Sequence, residues 1–433
     1  MIKNCRRYRA APAGRERVQR RFRASATAIV FAVGLSSCDG LLDVDLPGRL
    51  PAEELADPEM ADLLVASVQA DFECAYGAFA AWTGLFADEW MSASSFGPGP
   101  EAIDRQEALI RDMGTTVCSS SPVANQPGYY QHVQVARSQG ETAFEIISSH
   151  PAEQIQDREV KLATIAAYTG YALTLLGEGF CEMALDGGPL LQREEVLSRA
   201  EDRFTTAIEL GQSSGNEEIV NWASVGRARV RIALGDTQGA VADATRVPQG
   251  FVKNATYAAT PGRRMNRIYG VNVAGRFYTL DVSFRDLTVE GVPDTRLIGI
   301  NEGVVGHDGQ TELWTTNKFR DAGDPIPLAQ WEEAQLIIAE ALGGSEAVAA
   351  INRIRDHWDL PHFSSSDPAE IRAEILEERR RVLFGQAQRI ADIVRFPELQ
   401  LPTGLRPHKG DPYSDNFECL PLPWAELDGN SNF

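Results

Sequence analysis

The chain has 433 residues, with 41 Lys or Arg against 61 Asp or Glu, a formal net charge of −20 and an apolar share of 43%. That acidity weighs against a nucleic-acid partner, whose phosphates the protein would repel. The apolar share is that of a globular protein and not of a disordered chain.

Residues 1–37 carry nine Lys or Arg and one Glu, and end in a short apolar run from about Ala26 to Leu35. A basic stretch before a short apolar core is the pattern of an export signal. The run falls short of the roughly 20 residues a membrane-spanning helix needs. Leu35, Ser36 and Ser37 lead into Cys38, and this resembles a bacterial lipobox, in which the cysteine takes a diacylglycerol and becomes the new N-terminus. The bland alternative is an ordinary signal with a chance cysteine. Removing residues 1–37 takes the net charge from −20 to −28, because the segment carries +8. No later run reads as a membrane span, so membrane contact is expected through the lipid alone.

Residues 39–54 read as an extended tether. Asp57 and Pro58 supply a helix cap and a first helical residue, and apolar spacing then continues to Trp90. The stretch SSFGPGP, 94–100, breaks the pattern, and 119–128 is a Ser/Pro/Gly-rich loop. Helical spacing resumes over Tyr129–Ser148 and Arg158–Leu176. Trp222, Val225 and Gly226 match the W-x2-L-G opening of a tetratricopeptide helix, with Val for Leu, and GAVADATRV follows as its partner. Gly170 and Tyr171 sit in a similar setting, with Ala200, Phe204 and Ala207 on the partner helix. QWEEAQLIIAEALGG and SEAVAAINRIRDHW form a later pair. Each hairpin leaves an apolar face that a neighbour must cover, so such pairs stack. Between about 251 and 325 the pattern changes: GRFYTLDVSF reads as strand, and Gly and Pro interrupt the rest. Asp367 and Pro368 open a further helical stretch through 396, and the tail is Pro-rich.

Taken in order, the lipobox, LLDVDLP, the repeat pairs, PDTRL at 293–297, AEALGGSEAVAAINRIRDHWDLP at 339–361, ILEERRRVLFGQAQRIADIVRF at 375–396 and CLPLPWAELDGN at 419–430 resemble the SusD/RagB family. The resemblance covers essentially all of 38–433. The sequence departs from the family pattern at GQAQR and at the closing GNSN. The resemblance implies a mainly α fold, a tetratricopeptide-like helical-repeat superhelix with an irregular loop and short-strand insertion, as a single domain after the signal. It implies a lipid-anchored, surface-exposed outer-membrane protein that captures a glycan or other large nutrient for a SusC-like TonB-dependent transporter. The repeats are expected to face the transporter and the loops to face the ligand. A tetratricopeptide-type adaptor for other proteins is the alternative, which the 251–325 insertion and the closing segments disfavour.

Among the six cysteines, Cys5 leaves with the signal and Cys38 is the lipidation candidate. Cys74, Cys118, Cys181 and Cys419 remain, with no C-x2-C spacing, so two disulfides are favoured over a metal site. Their order along the chain favours Cys74–Cys118 and Cys181–Cys419. No nucleophile elbow, zinc-protease, P-loop or dinucleotide signature occurs, and neither cofactor nor metal is expected. His357 and His362 flank WDLP without a third ligand at matching spacing. Asp88 and Glu89 adjoin Trp90, but neighbouring helical residues do not face one another, so an acid pair for hydrolysis is disfavoured. EERRR, 377–381, reads as a solvated helix face with a structural role. Loop aromatics are the candidates for stacking on an oligosaccharide or peptide: Trp90, Phe96, Trp314 and Tyr413. Trp222 and Trp331, at repeat positions, are expected in the core. An acidic protein favours a neutral ligand.

Overall fold

The computed structural model describes residues 52–107, 111–112, 118, 128–259, 262–414 and 417–432. Cys38 and the 1–37 segment lie outside the described residues. Asp57 caps the first turn by accepting from the Glu59 N–H at 2.9 Å, and α1 follows over Ala61–Phe86. Then come α2 (Gln131–Ser149), α3 (Arg158–Gly179), α4 (Arg193–Ser213), α5 (Glu217–Leu234), α6 (Thr237–Thr245), α7 (Trp331–Leu342), α8 (Gly344–His357), α9 (Pro368–Val382), α10 (Arg389–Arg395) and α11 (Trp424–Gly429).

Consecutive helices stack from α2 to α6, and α6 continues onto α7, so the array passes over the insertion between them. Small residues set the spacing. A Cβ on Gly170 would come 2.8 Å from the Phe204 ring, and one on Gly226 would come 2.4 Å from it. The two glycines of the repeat motif therefore form the slot into which Phe204 of α4 fits. Tyr171 stacks on Trp222 with centroids 5.8 Å apart, and its hydroxyl donates to the Trp222 carbonyl at 2.8 Å. Both tryptophans expected in the core are there, Trp222 and Trp331 alike. The α5–α6 turn is local chemistry: Gly235 takes φ +86°, and Asp236 accepts from the Gly239 N–H at 2.9 Å. One helix among the described residues, α3, is long and apolar enough to cross a membrane, contrary to the expectation that no run after the signal would be. Most of it is buried at the centre of the array.

The strands longer than two residues are β1 (Trp90–Ser92), β2 (Val252–Ala255), β3 (Tyr278–Leu280), β4 (Gly299–Val305), β5 (Glu312–Thr316) and β6 (Ile326–Gln330). β2 and β6 pair antiparallel, Ile326 opposite Ala255 and Gln330 opposite Val252. The insertion thus leaves and returns through one paired base, close to the expected limits. The stretch expected as one strand, 275–284, is strand only at β3. There Asp281 accepts from the Ser283 N–H at 2.8 Å and turns the chain into a 3-10 turn.

Two expectations near the C-terminus are corrected. The helical stretch through 396 is two helices, because Gly385 adopts φ +73° and its N–H donates to Glu89 Oε1 at 2.9 Å. The EERRR run is not simply solvated. Glu377 does pair with Arg381 at 2.6 Å, but Glu378 and Arg379 are buried. Glu378 accepts from Arg355 at 2.9 Å and also meets Arg296, and Arg379 holds Asp392 at 2.6 Å. These ions fasten α8, α9, α10 and the PDTRL segment together.

Cys74 is joined to Cys118 and Cys181 to Cys419, with Cα atoms 6.1 and 5.6 Å apart. These are the pairs favoured by the order of the chain. The second fixes the tail beside the end of α3.

Candidate functional site

Three loops meet on the irregular side: 94–101 after β1, 306–311 between β4 and β5, and 404–413 in the tail. Backbone bonds first bring two of them together. His307 N–H donates to Arg276 O at 2.8 Å, and Asp308 N–H to Ala93 O at 2.9 Å. Gly306 allows this, since a Cβ there would come 2.4 Å from Ala93 Cβ. Ions then fasten the third loop. Fully buried Arg406 reaches Asp411 at 2.7 and 2.9 Å, Asp104 at 2.8 Å and Glu101 at 3.0 Å. Lys409 bridges Glu101 at 3.1 Å and Asp308 at 2.7 Å. Burial alone would raise Asp308, but bonds from Lys409 and Thr311 hold its carboxyl well below the usual carboxylate range. The loop cluster is therefore a pre-organised, ion-fastened surface at neutral pH.

On this surface Phe96 is 39% exposed. Its ring stacks on His307 at 4.7 Å with planes 24° apart and lies 5.7 Å from buried Phe277. Ser95 Oγ and His307 Nδ1 are 3.4 Å apart at its edge. An exposed aromatic face with hydroxyl and imidazole groups beside it suits a ligand with apolar C–H patches ringed by hydroxyls.

Tyr413 belongs to the same cluster. It is half-buried, with its N–H donating to Gly404 O at 3.0 Å, and burial followed by Asp104 and Asp281 pushes its phenol upward, so it stays a hydroxyl. Trp314 is also half-buried, on β5. Its N–H donates to Thr279 Oγ1 at 2.8 Å, its Nε1 to Glu312 at 3.3 Å, and the Arg285 guanidinium covers its ring at 4.7 Å.

Trp90 is corrected. It is 1% exposed and packs 5.1 Å from Phe384. The chain forms β1 against β3 before reaching the loop, with Trp90 opposite Leu280, and this seats the indole against Gly84 of α1. Asp88 and Glu89 likewise turn to separate partners: Asp88 takes both arms of Arg389 at 2.6 Å, while Glu89 accepts from Gly385. They form no acid pair. His362 lies 2.6 Å from Asp356, and among the described residues no group of His, Cys, Asp and Glu is arranged to hold a metal.

Sequence reasoning missed His307, Phe277, Arg406 and Lys409. A signal for His307 was present: glycines at 303, 306 and 309 mark a tight turn that carries the histidine at its tip.

No protein-family model matches the sequence, and no curated protein matches it. Solved structures do match. A laminarin-binding SusD-like protein superposes with a TM-score of 0.62 at 16% identity, over 86% of this chain and 98% of that one. A SusD-like protein from Bacteroides fragilis NCTC 9343 gives 0.63 at 13% identity, over 89% and 99%. A SusD-like carbohydrate-binding protein from Bacteroides vulgatus ATCC 8482 gives 0.63 at 14% identity, over 87% and 97%. The described chain is thus a helical-repeat scaffold carrying an ion-fastened loop face. Its fold is that of the SusD-like proteins, as the resemblance implied.

Proposed function

We propose that this protein is a non-enzymatic glycan-binding subunit, and that Phe96 and His307 form part of its ligand face. The observation that carries this reading is the exposed Phe96–His307 stack on the loop side of a fold whose solved relatives include laminarin- and carbohydrate-binding proteins. Tyr413, in the same loop cluster, and Trp314, on β5, are secondary ligand-contacting candidates in this reading. The acidic net charge favours a neutral glycan over a polyanion.

The cellular role in this reading is that of an outer-membrane lipoprotein, anchored through Cys38, handing its glycan to a SusC-like TonB-dependent transporter. The stacked helices offer a rigid extended surface for that partner, while the irregular loops shape the ligand side. The test is affinity electrophoresis of the purified protein in gels containing laminarin, other neutral glucans, mannans or xylans. Retardation by a neutral glycan, lost in Phe96→Ala and His307→Ala, is expected. A protein retarded by none of them, or binding only peptides, overturns the reading. Release of Cys38→Ser from the membrane fraction, and co-purification of a barrel transporter with the unaltered protein, test the anchoring and the partner.

A further inference from the structure

A second concavity, of about 240 Å³, lies where the insertion meets the last repeat. None of its lining residues belongs to the three loops of the Phe96 face. Its polar lining includes Lys318, Gln330, Glu332 and Gln386, together with Arg296, which Asp294 and Glu378 hold; Trp358 and Pro327 supply apolar surface.

The hydrogen-bonding capacity there is only partly used. Lys318 has three N–H donors; its contacts are main-chain carbonyls, Val382 O at 3.3 Å and Phe384 O at 3.4 Å, and not a carboxylate. Burial, set against the attraction of Glu89, pulls its pKa down to about 8, so it is still charged at pH 7. Gln330 Nε2 donates to Gln386 Oε1 at 3.2 Å, and both glutamines are more than nine-tenths buried. Glu332 is buried too, and the His357 ring nitrogen lies 3.6 Å from its carboxylate.

The walls are pre-formed. The Tyr76 hydroxyl sits 2.7 Å from Pro327 O and 3.0 Å from Gln386 O, tying both lining segments to α1. Trp358 closes α8 with 37% of its surface exposed, and His357 meets its ring edge-on at 5.7 Å. The next residue, Asp359, takes φ +53°, a conformation that non-glycine residues rarely adopt and that persists at sites held by their surroundings.

From this we infer that the Lys318–Glu332–Trp358 pocket is a second binding site, for a single neutral pyranose unit. With the Arg296 guanidinium already neutralised by Asp294 and Glu378, Lys318 and Glu332 together disfavour either kind of ion, since an anion meets Glu332 and a cation meets Lys318. Paired hydroxyls satisfy both, with donors and acceptors in one ring, and the Gln330 amide, which Gln386 positions, extends the same pattern. A C–H face packs on Trp358 and Pro327. The volume is below the range of about 300–1,000 Å³ that holds drug-sized molecules, which suits one sugar ring and not a chain. The site goes beyond the loop-face reading and stands without it.

The test is saturation-transfer NMR and calorimetric titration of the whole protein with D-glucose, D-galactose, D-mannose and N-acetyl-D-glucosamine, with sodium acetate as the ionic comparison. At least one sugar is expected to bind saturably, and Trp358→Ala to weaken it about tenfold or more. Glu332→Gln is expected to weaken it as well, with the thermal midpoint of both variants close to that of the unaltered protein. Four outcomes overturn the inference: no sugar binds, acetate alone binds, Trp358→Ala and Glu332→Gln keep the original affinity, or Phe96→Ala abolishes the signal. Laminarin retardation, read separately, tells failure of this pocket from failure of the loop face.

Discussion

The helical repeats and the loop face are built on opposite physical plans. In the repeats, rings and small residues carry the structure: Phe204 fills the slot of Gly170 and Gly226, and Tyr171 lies flat on Trp222. In the loop face, charge carries it: Arg406 and Lys409 reach four carboxylates from three segments. Apolar packing tolerates no added atom, and it leaves the buried Trp222 indole N–H without an acceptor. The ion cluster leaves room at its rim, where Phe96 is exposed, yet it leaves buried charge behind if one member is lost. A surface that must present loops in fixed positions without a large core of their own gains rigidity from such a cluster.

The largest expected effect follows from that dependence. Arg406→Met takes the guanidinium from buried Asp104, while Lys409 still holds Glu101 and Asp411 is partly solvated, and breaking a buried ion pair on one side costs roughly 3–5 kcal/mol. Equilibrium urea unfolding measures it. A cost below about 1 kcal/mol would mean that the loops are held by something other than this network. In the repeats, Gly226→Ala drives a methyl into Phe204 and is expected to cost roughly 1–3 kcal/mol. Phe204→Leu in the same chain is expected to recover part of that loss, so purely additive effects would refute the slot.

A smaller effect lies at the seam between the regions. Burial pushes Glu89 up to about 8, opposed by the Gly385 N–H, and it pushes Glu333 up to about 7. The folded protein therefore holds protons on these groups that the unfolded chain has released, so their contribution favours folding at low pH and is lost progressively from about pH 4.5 to 8. Glu89→Gln is expected to flatten that decline by about 1–2 kcal/mol between pH 5 and 8. Parallel pH profiles for the two proteins would show that Glu89 is not the group responsible. The smallest effect on stability belongs to Phe96→Ala, within about 0.5 kcal/mol by thermal unfolding. The same variant is the one expected to lose glycan retardation, which separates binding from folding.

The repeat scaffold was legible because its signals are periodic and local. Trp222, Val225 and Gly226 announce a helix whose neighbour must come close, and Asp57-Pro58 and Asp367-Pro368 announce helix starts. The break at Gly385 was not legible, since the apolar spacing runs on through it. What stops the helix is a hydrogen bond to Glu89, 296 positions away. Trp90 was misplaced for a similar reason: a three-residue strand before the loop buries it, and its partner β3 lies far along the chain. The loop face itself was half legible. Phe96 stood out as an aromatic in a Gly/Pro segment, but His307 comes to it only through pairings between distant loops. Arg406 and Lys409 sit in no motif or periodic pattern that would mark them out.

The Cys181–Cys419 bond has a further consequence for how the molecule is completed. It joins positions 238 residues apart, and the Leu420 N–H donates to Gly179 O at 2.9 Å, so the tail re-enters beside α3. α4 to α10 and the whole insertion are thereby enclosed in a single covalent ring. Cys74 and Cys118, only 44 positions apart, can join as soon as both have emerged. Cys181 has no correct partner until the last repeat and the tail have been made. The second bond is therefore a clasp that closes only once Cys419 has been made: a product that stops before Cys419 leaves Cys181 reduced, and thiol labelling at that one sulfur distinguishes it from molecules that carry the tail.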